Sequence, residues 1–297
     1  RREVETEAEV ATRVSNGHAN DPPPPKDILD VFLACDPPLH RDMIKEMMLV
    51  SIGYIFTILG GLNVCVCVFW HSNDVEYVLM QELLMGGIGT LAITLDWAMA
   101  EILANPRVLR KLQEESDNVV GKERMVEMED LPKLPYMKAV VKETLRKHPP
   151  VPFLLPHMSM EACELSVNEG GVGPYRIPKG TTMLMNVWAI GNDPTTWEFP
   201  DKFLPERFMV GGCTHTDVRG QHFELLPFGG GRRICPSIGL ALAIVEVCVA
   251  CLTHCFEWAI DGVDVDMTEE FGMSIPRKAP LFAVPRSFRI TKFDEFG

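Results

Sequence analysis

Apolar residues recur along this chain at two kinds of interval, and the intervals divide it into elements. Ile238 to Phe256 shows helical rather than strand-like spacing, which predicts a helix. Leu134 to His148 reads as an amphipathic helix stopped by Pro149-Pro150. Glu82 to Ala104 reads as a long apolar helix, with Asn105-Pro106 closing it and opening the next. Tyr175-Arg176-Ile177-Pro178-Lys179-Gly180-Thr181 predicts strand, turn and strand, a small hairpin, preceded by a glycine-rich loop over Ser166 to Pro174. Met183 to Trp188 predicts a further strand, and Gly191-Asn192-Asp193-Pro194 a helix start. Asn20 to Pro25 is a polar, proline-rich link of the kind that stays disordered. Met47 to Trp70 stands apart: it is uncharged and long enough to cross a bilayer, for which about 20 apolar residues suffice.

Composition narrows the picture without deciding it. The 297 residues allow one large domain or two small ones, and 46% hydrophobic residues supply a substantial core. A net charge of −13 leaves no basic stripe for phosphates, so no nucleic-acid partner is expected. Nine cysteines without regular pairing point to a reducing, cytosolic setting rather than a disulfide framework. Cys248, Cys251, His254 and Cys255 have a superficially zinc-like spacing, but they fall inside the predicted Ile238–Phe256 helix, where apolar cysteines are ordinary core residues.

The chemistry concentrates in Pro227-Phe228-Gly229-Gly230-Gly231-Arg232-Arg233-Ile234-Cys235-Pro236. A single cysteine stands near the first turn of a helix, where unpaired backbone N–H groups favour a thiolate, and Pro236 fits just inside such a start. The glycines let the backbone approach a flat, bulky group, and the arginines can answer carboxylates. Haem, with an axial coordination site and two propionates, meets that description. Farther upstream, Glu143 and Arg146 share one face of the Leu134–His148 helix, and Phe203-Leu204-Pro205-Glu206-Arg207-Phe208 offers Arg207 to the same carboxylate.

These motifs, in this order and spacing, resemble the cytochrome P-450 (haem-thiolate monooxygenase) family, in its plant microsomal branch, from about Glu82 to the end. The resemblance implies a mainly α fold with a minor β region, here truncated on the N-terminal side. It makes Cys235 the metal ligand and the proximal ligand of haem b, with Phe228, Gly231 and Arg233 at the loop's other expected positions. A thiolate ligand goes with oxygen activation rather than oxygen carriage. Glu143, Arg146 and Arg207 match a buried structural network behind the loop. His157, in Leu154-Leu155-Pro156-His157, matches a propionate contact. Thr90, in Gly86-Gly87-Ile88-Gly89-Thr90-Leu91, matches the threonine that relays protons to oxygen, its bland alternative being a helix hydroxyl bonded to a preceding carbonyl. Three departures stand out: Gly89 at the acid position, Leu91 at a second hydroxyl position, and Ser237 where glycine is usual two residues after the cysteine.

The resemblance further implies oxygen insertion into a small apolar or phenolic organic substrate, a flavoprotein reductase supplying electrons from NADPH, and the cytosolic face of the endoplasmic reticulum membrane. Three regions are expected: a partial helical segment with its proline-rich link over 1–49, an apolar insertion over 50–81, and a haem-binding core over 82–297. The insertion reads either as a membrane span or as a retained intron. Val50-Ser51 and Gln81 can be encoded by the consensus intron edges GTAAGT and CAG, and deletion joins Ile44–Leu49 to Glu82–Gly87 as the family reads. Two rival functions remain: a haem-binding but catalytically silent fragment, and a membrane-embedded interaction protein built around Met47 to Trp70.

Overall fold

The computed structural model describes residues 75–165, 174–209, 211–213, 215–260 and 265–290, with side chains from Gly86 onward. All of them lie in one of the chain's two compact units, Asn73–Gly297; the other, Arg1–Ser72, lies outside the described residues, as do the proline-rich link and the Met47–Trp70 run.

Helix α1 spans Val75–Ala104 and α2 spans Pro106–Val119, separated by Asn105 alone. Pro106 lacks the N–H that a first helical turn leaves unpaired, so it starts α2 at little cost. Helix α1 begins seven residues before Glu82, so 75–81 share one continuous helix with 82–104. Helix α3, Pro135–Lys147, ends at His148, before the two prolines. Its first free amides are satisfied from α2: Tyr136 N and Met137 N donate to the two Glu115 carboxylate oxygens at 2.7 and 2.9 Å. Helix α5, Ile238–Cys255, follows the short helix α4, Val187–Gly191, and packs on α1, α2 and α3. Ala98, Ile102, Leu112, Leu134, Val140, Val245 and Val249 meet in the shared core.

Among the described residues, the strands form three two-stranded antiparallel sheets. Strands β5, Phe256–Ile260, and β6, Ala283–Phe288, form one of them beyond α5. Strands β1 (His157–Met158) and β2 (Cys163–Leu165) run outward, and β3 (Tyr175–Ile177) and β4 (Thr182–Met183) return, β1 pairing β4 and β2 pairing β3.

That pairing corrects the expected hairpin, because β3 and β4 do not pair with each other. The Pro178–Thr181 turn folds onto Ser159 instead: Gly180 N donates to Ser159 O at 2.9 Å and Ser159 N to Thr181 O at 3.0 Å, with Gly180 at φ +80. The expected strand over Met183 to Trp188 is corrected too. Only Met183 is in a strand, and α4 starts at Val187, where Asn186 Oδ1 caps Ala189 N at 2.9 Å, so the helix ends at Gly191 rather than starting there. Pro236 lies outside its helix, since α5 starts at Ile238.

Candidate functional site

The site is built in two parts. The first is a buried ion cluster on α3. Glu143 and Arg146 lie one turn apart with neither side chain exposed; Arg146 Nε donates to Glu143 Oε2 at 2.8 Å and Nη2 to Oε1 at 2.9 Å. Arg207, brought in by the 3-10 turn Pro205–Phe208, adds its Nε at 3.0 Å, and Leu204 N donates to Glu143 Oε1 at 2.9 Å. One carboxylate therefore meets two guanidiniums and an amide, which offsets the desolvation that would otherwise make burial of a charge costly.

The arginines reach further. Arg146 donates to the carbonyls of Gly191, Pro200 and Lys202, and Arg207 to those of Glu198, Phe199 and Lys202. Trp197, almost fully buried, lies between the two cations, with its ring centre 5.6 Å from Arg146 Cζ and 5.8 Å from Arg207 Cζ. The segment 192–204 holds no regular helix or strand, and these side chains take over its carbonyls. On the outer side, Glu206 faces Arg107, Lys111 and the Tyr136 hydroxyl. Burial pushes the Glu206 carboxyl up, but hydrogen bonds from Arg107 and Lys111 outweigh it and bring it to about 2.

The second part is the glycine loop. Gly229 and Gly231 have φ of +76 and +70, values that side chains resist, and Cys235 N closes the loop by donating to Phe228 O at 3.0 Å. The loop rests on the Gly220 turn, where an added Cβ would meet Ile234 Cδ1 at 2.7 Å and Gly229 O at 3.1 Å. A Cβ on Gly229 would lie 3.5 Å from Leu154 Cδ1, so the segment leading to His157 borders the loop. Beside Gly231 nothing stands within 4 Å of a would-be Cβ. Cys235 is a half-buried free thiol three residues ahead of α5. Arg232 and Arg233 are exposed and have no side-chain partner among the described residues. A single sulfur donor, an open glycine surface and two unpaired cations fit a flat, acidic macrocycle bearing a metal.

The other expected residues are placed apart. His157 is exposed, with Nδ1 2.8 Å from Leu155 O. Thr90 adopts the bland arrangement: its hydroxyl donates to Gly86 O at 2.8 Å and to Gly87 O at 3.2 Å in a continuous α-helix. Neither makes a hydrogen bond to Cys235 or Arg233 among the described residues. No group of three or more His, Cys, Asp or Glu placed to hold a metal, Cys248, Cys251, His254 and Cys255 of α5 included, occurs among the described residues. There, burial pushes the Cys251 thiol up to about 11.

Sequence reasoning missed Trp197 and a polar group around Glu101. A tryptophan in a segment rich in Asp, Pro and Asn was the available signal for the first. A lone glutamate inside the apolar run Trp97-Ala98-Met99-Ala100-Glu101-Ile102 was the signal for the second.

The profile of the family described as Cytochrome P450 matches residues 72–284. The chain is 44% identical over 212 residues to a flavonoid 3',5'-hydroxylase of Crocosmia x crocosmiiflora, covering 70% of this chain and 39% of that protein. It is 45% identical over 262 residues to a 3,9-dihydroxypterocarpan 6A-monooxygenase of Glycine max, covering 88% and 45%. It is 49% identical over 217 residues to a dimethylnonatriene synthase of Zea mays, covering 71% and 39%. A zebra fish cytochrome P450 solved with abiraterone superposes with a TM-score of 0.60 at 31% identity, over 72% of this chain and 48% of that one. The chain thus spans about two fifths of the length of the curated relatives it matches, 39% of the first.

Proposed function

The chain belongs to the cytochrome P450 family, a family of haem enzymes, and from that premise we propose that it carries the proximal, haem-gripping part of a plant-type monooxygenase, with its core over 82–297. The observation that carries this reading is the loop: a half-buried Cys235 thiol behind two left-handed glycines, backed by the buried Glu143–Arg146–Arg207 cluster.

Cys235 would ligate the iron of haem b, Gly231 would let the ring approach the backbone, and Arg233 and His157 would answer the propionates. Phe228 holds the loop's shape by accepting the Cys235 amide N–H at its carbonyl oxygen. When bound, the haem supplies oxygen activation, one atom going to an organic substrate and the other to water. Glu143, Arg146 and Arg207 act as supports, fixing α3 and the 192–208 segment behind the loop. Thr90 would hold and pass a proton through its hydroxyl, which must leave Gly86 O to do so.

The substrate class is a small apolar or phenolic plant compound, as the names of the flavonoid and pterocarpan relatives suggest. Electrons would arrive from NADPH through a flavoprotein reductase docking near Cys235. A recess of about 340 Å³ between α3, the 215–219 turn and α5 is lined by both signs of charge, Lys138, Lys142 and Arg219 beside Asp217 and Glu246, with Arg219 paired to Asp217, so it does not by itself mark the docking face. The setting is the cytosolic face of the endoplasmic reticulum membrane. Two described helical stretches, Gly86–Ala104 and Ile238–Cys255, are long and apolar enough to cross a membrane, yet both contribute core residues. Transcript sequencing across codons 50–81 separates an intron-derived insertion from a genuine segment.

A reduced carbon monoxide difference spectrum of the haem-loaded full chain tests the reading. A thiolate-type band that disappears in Cys235→Ser is expected; an unchanged band, or no haem retention by the unsubstituted chain, overturns it. A second reading, a haem binder without turnover, is favoured by Gly89 and by the occupied Thr90 hydroxyl. NADPH consumption with a reductase and a panel of phenolic substrates distinguishes the two.

A further inference from the structure

Residues 266–278 form a short finger. Lys278 N donates to Thr268 O at 2.8 Å, Glu270 N donates to Pro276 O at 2.9 Å, and the backbones of Glu269 and Arg277 pair as an isolated antiparallel β-bridge. Its root is fastened to two helices. Trp97 Nε1 of α1 donates to Ile275 O at 2.9 Å, Ile275 N donates to Pro150 O at 3.0 Å just beyond α3, and Arg277 Nε pairs with Asp96 of α1 at 2.8 Å. Its outer end is bare, with Phe271 and Met273 exposed.

His148 sits at this root. The ring is buried and stacked on Trp97, with centroids 3.9 Å apart and planes 3° from parallel. Nε2 lies 2.8 Å from Glu101 Oε1, which also takes Lys147 Nζ at 2.8 Å. Burial pushes the Glu101 carboxyl up, but the hydrogen bond from His148 and the charge and hydrogen bond of Lys147 outweigh it, leaving it below the usual carboxylate range. Glu101 is therefore an acceptor, and Nε2 carries the ring's proton. In the neutral ring Nδ1 is a bare lone pair. It is buried, without a hydrogen-bond partner, and it faces Glu269 Oε1 of the finger at 3.8 Å. Two acceptors confront each other across a gap that one proton would close.

We propose that His148 is a proton-operated latch for this finger. With a second proton on the ring, Nδ1–H donates to Glu269 and draws the finger onto α1 and the end of α3. Without it, the finger is held by Trp97, the Ile275 amide and the Asp96–Arg277 pair alone. The charged groups around the ring are Glu101 from α1, Lys147 from α3 and Glu269 from the finger; Asp96 and Arg277 face each other at the root, and Asp266 turns its carboxylate to Thr268 N at 2.9 Å. The finger is tied to the same helix that carries Thr90, two turns before Trp97, so its fastening reaches the element proposed to handle oxygen. The device itself needs no haem, and its readout is independent of turnover.

Amide hydrogen exchange on the full chain, corrected for intrinsic rates, reads the latch directly at Glu270, Ile275 and Lys278. Protection is expected to rise roughly tenfold as the pH falls from about 8 to about 6, the size of one charged hydrogen bond. Glu269 is a surface residue, so its variants leave the core untouched. Glu269→Gln can donate its amide to the neutral ring and should stay protected at both pH values. Glu269→Ala should keep the lower, high-pH level of protection at both. A wild-type pH response in Glu269→Gln, or no rise in protection on acidification of the unsubstituted chain, overturns the proposal.

Discussion

The ion cluster of α3 and the glycine loop before α5 make opposite use of arginine. In the cluster, Arg146 and Arg207 are sealed in and reach one carboxylate and five different carbonyl oxygens. In the loop, Arg232 and Arg233 are exposed and unpaired among the described residues. The first region is complete within the polypeptide. The second leaves its cations open, and on the proposed function they would answer a haem. Their glycines differ in the same sense: Gly212 and Gly191 are forced by contact, at 2.3 Å from Arg207 O and 2.4 Å from Arg146 O for a would-be Cβ, while Gly231 has open space and only its φ to defend.

That contrast can be broken by substitution. Arg146→Ala strands the buried Glu143 carboxylate and should cost about 3–5 kcal/mol in chemical denaturation, or abolish folding. A cost near zero would mean that the cluster is not what fixes the 192–208 segment. Gly212→Ala places a Cβ against the Arg207 carbonyl and should cost roughly 1–3 kcal/mol, whereas Gly231→Ala should cost about 1 kcal/mol through its backbone angle alone. If the two alanines prove equal, the distinction between contact and conformation fails.

Acid sharpens the comparison, because residues 225–240 contain no carboxylate. The Arg124 guanidinium holds the Asp130 carboxyl at about 2. A depressed carboxyl stabilises fully above its unfolded value near pH 4 and loses that contribution as pH falls through about 2. Arg124 is 43% exposed, so the loss should be about 1 kcal/mol, flattened in Asp130→Asn, while the loop itself stays indifferent. Smallest of all, Cys235→Ser and Arg233→Ala should each shift the stability of the haem-free chain by less than about 0.5 kcal/mol. On the proposed function Cys235→Ser would nevertheless abolish thiolate ligation, so the order of effects on stability would be the reverse of the order on haem.

Where the local signal was strong, the sequence foretold the outcome. Pro106 and Pro149-Pro150 punctuate α2 and α3, and apolar spacing placed α5 to within a residue of its end. Glu143 and Arg146 lie some sixty residues from Arg207, yet both guanidiniums converge on the one carboxylate. The β region was not legible in this way. A two-residue strand such as β4 is defined by its partner, and His157–Met158 lies far back along the chain. Pro178-Lys179-Gly180 has the chemistry of a hairpin turn, but Ser159 captured its backbone groups first. The coupling of Glu101 to His148 was hidden for the same reason: a lone glutamate in an apolar run calls for a partner without naming it, and only tertiary packing stacked the imidazole on Trp97 beside it.

The segment that Arg146 and Arg207 hold is gripped almost entirely by its main chain, through the carbonyls of Gly191, Glu198, Phe199, Pro200 and Lys202. Side-chain identity at 198, 199 and 202 is therefore nearly free to drift over generations, while neither guanidinium can be traded for lysine, whose single ammonium cannot serve so many oxygens at once. The conformation of more than a dozen residues is thus heritable through two codons, one at the segment's own end and one in a distant helix.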